Sequence, residues 1–181
     1  MSTEQDFITA QLLAEHSKAQ TLRLVHWVGA DPERVNALME IFMGSDYRLT
    51  QRGAWVVRYV GESHPEALAP WLPQMIGALS KTGQHDAVKR NVLNVFEQID
   101  PPAAQIETLA DIAFQFLENP QEPIAIRCAA MTVLARICRT EPDLLPALQL
   151  LLENCGEDVS KGMQSRIRKI QSQLSKPKRT S

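Results

Sequence analysis

The chain has 181 residues, of which 44% are hydrophobic and 22% are charged, and its formal net charge is −2. This length suits one domain with a substantial core, and this balance of residues excludes a disordered or fibrous chain. The sequence contains no run of about 18 apolar residues and starts without a basic segment followed by an apolar one, so we expect a soluble, cytoplasmic protein.

Apolar residues recur every three or four positions, which is the period of an α-helix. Prolines and glycines separate these stripes and mark helix ends, because proline is tolerated in the first turn and glycine supplies a left-handed exit. Pro70 and Pro73 lie inside one stripe and should bend that helix. In chain order, the predicted helices span residues 4–15, 18–29, 33–43, 47–60, 66–79, 85–99, 103–118, 122–139, 143–155 and 160–174.

The first predicted helix is expected to close one end of the core, and the last predicted helix the other end. Four apolar residues of the first helix should face inward: Phe7, Ile8, Leu12 and Leu13. Its opposite side is polar and should face solvent.

The helical pattern repeats. Segment 88–99 aligns with segment 126–137, 38 residues further on, and the apolar positions match throughout. Related patterns begin 39 residues earlier at Leu49 and 37 residues after the later copy at Met163. One helical pair of this size cannot bury its apolar stripe alone, so the pairs must stack and share a core. The sequence therefore predicts an all-α solenoid of about four to five antiparallel pairs, forming a single domain over residues 1–174. Residues 175–181 are expected to be a disordered basic tail.

Two segments, Asp86-Ala87-Val88-Lys89 and the run from Pro123 to Ala130, resemble the second helix of HEAT-like repeats, which opens with an acidic residue, then Val-Arg, then small and aliphatic positions. The resemblance covers residues 33–174, but Thr50 and Gln164 stand where the basic residue of the motif would be. It implies a right-handed α-α superhelix whose second helices line the concave surface. These helices are 47–60, 85–99, 122–139 and 160–174.

On those second helices, the side opposite the core is expected to bind a partner. Trp55 and Tyr59 lie one turn apart beside arginines, and aromatic and arginine side chains dominate binding hot spots. Trp55 has an alternative interpretation, as core between neighbouring pairs. The predicted partner-binding band comprises Gln51, Arg52, Trp55, Arg58, Tyr59, Arg90, Asn94, Glu97 and Lys169.

The charge is unevenly distributed. Residues 159–181 carry seven basic residues and no acid, which leaves −9 on the rest of a chain whose total is −2. Binding to nucleic acid, as in HEAT-like DNA glycosylases, would have to use the basic C-terminal helix, because phosphate binding needs several lysines and arginines. This interpretation remains the first alternative.

A non-catalytic scaffold that binds a protein or peptide is the function that the sequence favours. Motif searches for GxSxG, GxxxxGK[ST], GxGxxG and HExxH find nothing, so an enzyme such as a lyase is the second alternative. The three cysteines form no CxxC pair and the four histidines are dispersed, so we expect no metal, cofactor or catalytic residue. The identity of the partner and the oligomeric state stay open.

Overall fold

A computed structural model of the chain describes residues 2–155 and 159–175, and within these ranges every regular element is helical. The chain divides into two compact units, Met1–Gln105 and Ile106–Ser181. The prediction of one continuous domain stays a prediction. Apart from Ser175, the tail predicted for 175–181 lies outside the described residues.

The first unit is built from helical pairs. Its helices are α1 (Thr3–Ala14), α2 (Lys18–Val28), α3 (Pro32–Phe42), α4 (Tyr47–Ser63), α5 (Pro65–Leu68), α6 (Leu72–Leu79) and α7 (Asp86–Phe96). Helix α1 packs on α3 and α3 on α5, which forms a layer of first helices. Helix α2 packs on α4 and α4 on α7, which forms a layer of second helices. The stacking inferred from the apolar repeat is therefore present within this unit.

Polar side chains fix where these helices begin. Ser2, Ser17, Asp31 and Asp46 each precede a helix and accept a hydrogen bond from a backbone N–H of its first turn. Such caps satisfy donors that have no partner inside the helix. Gly29 ends α2 with a φ of 52°, a left-handed conformation that favours glycine.

The predicted helix 66–79 is interrupted. A 3-10 turn, Ala69–Trp71, separates α5 from α6, and Pro70 and Pro73 each stand in the first turn of the segment that they begin. The bend expected from the two prolines is confirmed, because neither residue can donate a backbone hydrogen bond to a continuous helix.

Helix α4 approaches α5 and α7 closely at Gly61. A Cβ atom placed on Gly61 would lie 3.1 Å from Leu68 Cδ1 and 3.5 Å from a methyl group of Val95. A glycine at this position therefore lets α4 run on to Ser63, three residues beyond the predicted end, while it stays packed on both neighbours.

The inward side predicted for α1 is only half correct. Ile8 and Leu12 are buried, but Phe7 and Leu13 are 40% and 48% exposed. The polar residues Gln5 and Gln11 are more covered than expected because the Gln5 amide bonds Glu40 and the Gln20 amide bonds Gln11. Since α1 packs against its neighbours through one side, a stripe wide enough to include Phe7 and Leu13 cannot be covered completely.

The second unit contains α8 (Ile106–Glu118), α9 (Ile124–Ile137), α10 (Leu145–Asn154) and α11 (Lys161–Leu174). Helix α9 packs on α8 and α11, and α10 packs on α8 and α9. The second helices of the two units begin at Tyr47, Asp86, Ile124 and Lys161. These positions reproduce the predicted interval of 37–39 residues.

Candidate partner-binding surface on the second helices

The side of α4 that is turned away from the core carries aromatic residues and arginines. We define the α4 face as Tyr47, Arg48, Gln51, Arg52, Trp55, Arg58 and Tyr59. Tyr47 and Arg48 are exposed and the other five are half-buried. The opposite side of the helix, which includes Val56, Val57 and Val60, is buried. The apolar period of α4 thus decides which side of it can meet a partner.

Trp55 lies between the two interpretations that its sequence context allowed. Its ring packs on that of His16 in the α1–α2 connection, with 5.3 Å between centroids and 56° between planes. One part of the indole is therefore covered while another stays accessible. An aromatic ring that is already held in place loses little conformational entropy when a partner covers the rest.

Arg58 is held by two neighbours on its own helix. Its Nε donates to Glu62 Oε1 at 3.1 Å, and its guanidinium carbon lies 5.3 Å from the centre of the Tyr59 ring. The Arg58 and Glu62 side chains are 35% and 28% exposed, and an ion pair of this kind stabilises a helix by only about 0.3–0.5 kcal/mol. Its main consequence is that the guanidinium and the Tyr59 ring present one ordered patch.

Arg52 has a structural partner that the sequence did not reveal. Its Nη1 donates to the backbone carbonyl of Leu12 at 2.6 Å, and Leu13 O lies 3.4 Å away. The last carbonyls of a helix lack intrahelical partners, so Arg52 caps the C-terminal end of α1. The contact spans 40 residues of sequence, and local pattern cannot detect it.

Tyr47 extends the α4 face towards α7. The Tyr47 hydroxyl lies 2.6 Å from His85 Nε2, and the two rings meet edge to face at 4.4 Å. His85 Nδ1 accepts from Ala87 N at 3.0 Å, so Nε2 carries the hydrogen and donates to Tyr47 Oη in the neutral ring. The sequence offered one signal for this pair, because Tyr47 and His85 occupy equivalent positions at the starts of successive second helices.

Three further residues of the predicted band lie on α7 or directly after it, and α7 packs on α4. Arg90, Asn94 and Glu97 are all half-buried, and Glu97 has interaction partners of its own. The structure therefore brings eight of the nine predicted residues together on two adjacent helices of the first unit.

The second-helix layer of this unit is locally basic although the chain as a whole is acidic. Helix α4 contains three arginines and one acid, Glu62, and α7 contains two basic residues and one acid, Asp86. By contrast, α3 in the first-helix layer contains two glutamates and one arginine. A surplus of positive charge on one side creates a field that favours acidic partners.

Lys169, the ninth residue, is exposed on α11 in the second unit. Of its neighbours on that helix, Arg166 is already engaged, since its Nη1 donates to Thr132 Oγ1 at 2.9 Å. Arg127, the basic residue of the HEAT-like motif, donates from Nε to Leu117 O at 3.1 Å and so caps α8, as Arg52 caps α1.

Within residues 2–155 and 159–175, no group of three or more His, Cys, Asp or Glu side chains is arranged to hold a metal ion. The same part of the chain has no helix that is both long and apolar enough to cross a membrane.

The arrangement agrees with a family comparison. A family model described as a HEAT repeat domain matches residues 8–174, most of the chain. Neither a curated protein nor a solved structure shows significant similarity to it. The predicted all-α solenoid of HEAT type is thereby confirmed, and HEAT repeats are helical scaffolds that commonly bind proteins. The chain belongs to the HEAT repeat domain family.

Proposed function

We propose that this protein is a non-catalytic scaffold that binds a segment of another protein on the α4 face and the adjoining residues of α7. The observation that carries the proposal is the ordered patch of Trp55, Arg58 and Tyr59, each half-buried and each held by a neighbour or holding one. Rings and guanidinium groups fixed in this way provide contact area and directed donors at a small entropic cost.

The charge of the surface indicates the chemistry of the partner. Arg48, Arg58 and Arg90 have few acidic residues near them on their helices, whereas Trp55 and Tyr59 offer apolar surface. A segment with aspartate or glutamate beside aromatic or aliphatic residues would complement both features. Arg52 lies at the edge of this surface, where part of its guanidinium already caps α1.

Selection from a library of random peptides displayed on phage tests this proposal. We expect the selected peptides to be rich in acidic and large apolar residues, and their affinity to fall as salt rises. Trp55→Ala and Arg58→Ala should each weaken binding by about 30-fold, which corresponds to about 2 kcal/mol at a hot spot. Fluorescence anisotropy of a labelled peptide measures these changes.

Two matched variants control for general damage. Trp71→Ala removes a tryptophan from the first-helix layer, and Arg168→Ala removes an exposed arginine from α11. Both should leave the affinity within about twofold. Peptides whose affinity ignores Trp55 and Arg58 would overturn the location of the site. Selective binding of a nucleic-acid fragment, abolished by removing residues 159–181, would replace the proposal with the nucleic-acid alternative.

A further inference from the structure

The outward side of the first helical pair is apolar where the end of a helical stack is normally polar. We define the end face as Asp6, Phe7, Ala10, Leu13 and Ala14 of α1 with Lys18, Ala19, Leu22, Arg23 and His26 of α2. All ten residues are exposed. Terminal repeats of helical stacks carry polar outer faces because water must cover them. Here six of the ten residues are apolar.

Large exposed hydrophobic side chains are concentrated on this face. In the described part of the chain, six such side chains are exposed, and three of them, Phe7 (40%), Leu13 (48%) and Leu22 (44%), lie here. The inner sides of both helices are already used, since Ile8, Leu12 and Leu24 are buried. The end face is therefore a second apolar side of the same helices and is left without a partner within the first unit.

The charges of the end face are separated between its two helices. Helix α1 contains Glu4 and Asp6 and no lysine or arginine, whereas α2 contains Lys18 and Arg23 and no acid. A face with opposite charges on its two halves is complementary to a rotated copy of itself. Isologous dimers require this self-complementarity, because each side of a two-fold interface presents the same patch.

The two helices run antiparallel, as Phe7 near the start of α1 packs on Trp27 near the end of α2, with 4.4 Å between ring centroids. A two-fold axis along the helices places α1 over α2 of a second copy. Asp6 then meets Arg23 and His26 of the second copy, and the small Ala10 meets Leu22. A two-fold axis across the helices would instead place α1 on α1, with acid against acid.

We propose that the end face is a self-association site that takes a second copy of this chain, with α1 of each copy over α2 of the other. The site goes beyond the α4 face, which it does not include. Two helices of 12 and 11 residues give a footprint of about 18 by 20 Å, smaller than the roughly 800 Å² per partner of a standard interface. The dimer is therefore weak, with Kd of roughly 10–500 µM.

Sedimentation equilibrium of the full chain between about 5 and 1000 µM tests the proposal. The expected result is a reversible monomer–dimer equilibrium that Leu22→Glu weakens by at least about tenfold, because the new carboxylate would be buried in apolar surroundings. Leu150→Glu is the matched control, since Leu150 is 58% exposed on α10 in the second unit. It should leave the equilibrium unchanged.

Charge reversal tests the arrangement of the two copies. Asp6→Lys and Arg23→Glu should each weaken the dimer, and the double variant should restore it, because the exchanged charges at these two positions again attract each other in both halves of the interface. Arg23 also contacts Glu15 at 3.2 Å within its own chain, but both side chains are more than half exposed and the pair contributes little. Circular dichroism of each variant verifies that the fold is intact.

A chain that stays monomeric at every concentration would overturn the proposal and would leave the end face to helices of a different protein. A dimer that Leu22→Glu does not weaken would place the interface elsewhere. Reversals that weaken the dimer without mutual rescue would overturn the placement of α1 over α2. None of these outcomes bears on peptide binding at the α4 face, which is measured with Trp55→Ala and Arg58→Ala.

Discussion

Arg52→Ala tests whether the arginine predicted as a partner contact holds the fold together. The substitution removes the hydrogen bond from Nη1 to Leu12 O and leaves a C-terminal carbonyl of α1 without its partner. A hydrogen bond to a charged group contributes about 1.5–3 kcal/mol, and the half-buried position of Arg52 favours the lower end. We therefore expect the free energy of unfolding to fall by about 1.5–2 kcal/mol.

Urea denaturation followed by circular dichroism at about 222 nm measures this change, and a thermal melt should shift by about 3–8 °C for a chain of this size. Arg48→Ala is the matched control, because Arg48 is exposed one turn earlier on the same helix. Its effect should stay within about 0.5 kcal/mol. If Arg52→Ala proves as stable as Arg48→Ala, the capping role is wrong and Arg52 returns to the partner surface.

Three further predictions concern packing and cysteine chemistry. Gly61→Val should lower the free energy of unfolding by about 1–3 kcal/mol by overpacking, while Gly77→Ala in α6, where an added Cβ meets no atom within 4 Å, should raise it by about 0.5–1 kcal/mol; chemical denaturation measures both, and equal effects would contradict the packing around Gly61. Deleting residues 1–15 should lower the melting temperature, because α1 buries Ile8 and Leu12; an unchanged melting curve would refute its role in the core. Burial raises the pKa of the Cys138 thiol from about 9 to about 11, so that thiol stays protonated as pH rises past 9 while the unfolded chain ionises, and its contribution to stability is lost between about pH 9 and 11. At pH of about 8, iodoacetamide should label the half-buried Cys155 before Cys138, and mass spectrometry of the peptides would expose the opposite order.

Much of the fold could be predicted because the period of apolar residues is a local property. Stacking of similar pairs needs only that each helix has one apolar side, and the interval of 37–39 residues then identifies equivalent helices. The interruption at Pro70 and Pro73 followed from backbone chemistry alone. For the same reason, the α4 face was predictable, since the side opposite Val56 and Val60 is determined by helix geometry.

The misplaced residues have a common cause. Phe7 and Leu13 are apolar and sit next to the buried Ile8 and Leu12, but how wide a stripe is covered depends on how many helices pack on α1. Arg52 looked like a surface arginine because its acceptor, Leu12 O, is 40 residues away in sequence. Trp55 and His16 likewise meet only after α1 and α4 have packed.

The sequence by itself determined the helices, their repeat interval and the family, because these depend on periodicity and on residues close together in the chain. Only the tertiary structure decided which polar groups are used for capping and which apolar groups remain outside. Both outcomes depend on contacts between helices that are far apart in sequence, where small differences in packing select one partner over another.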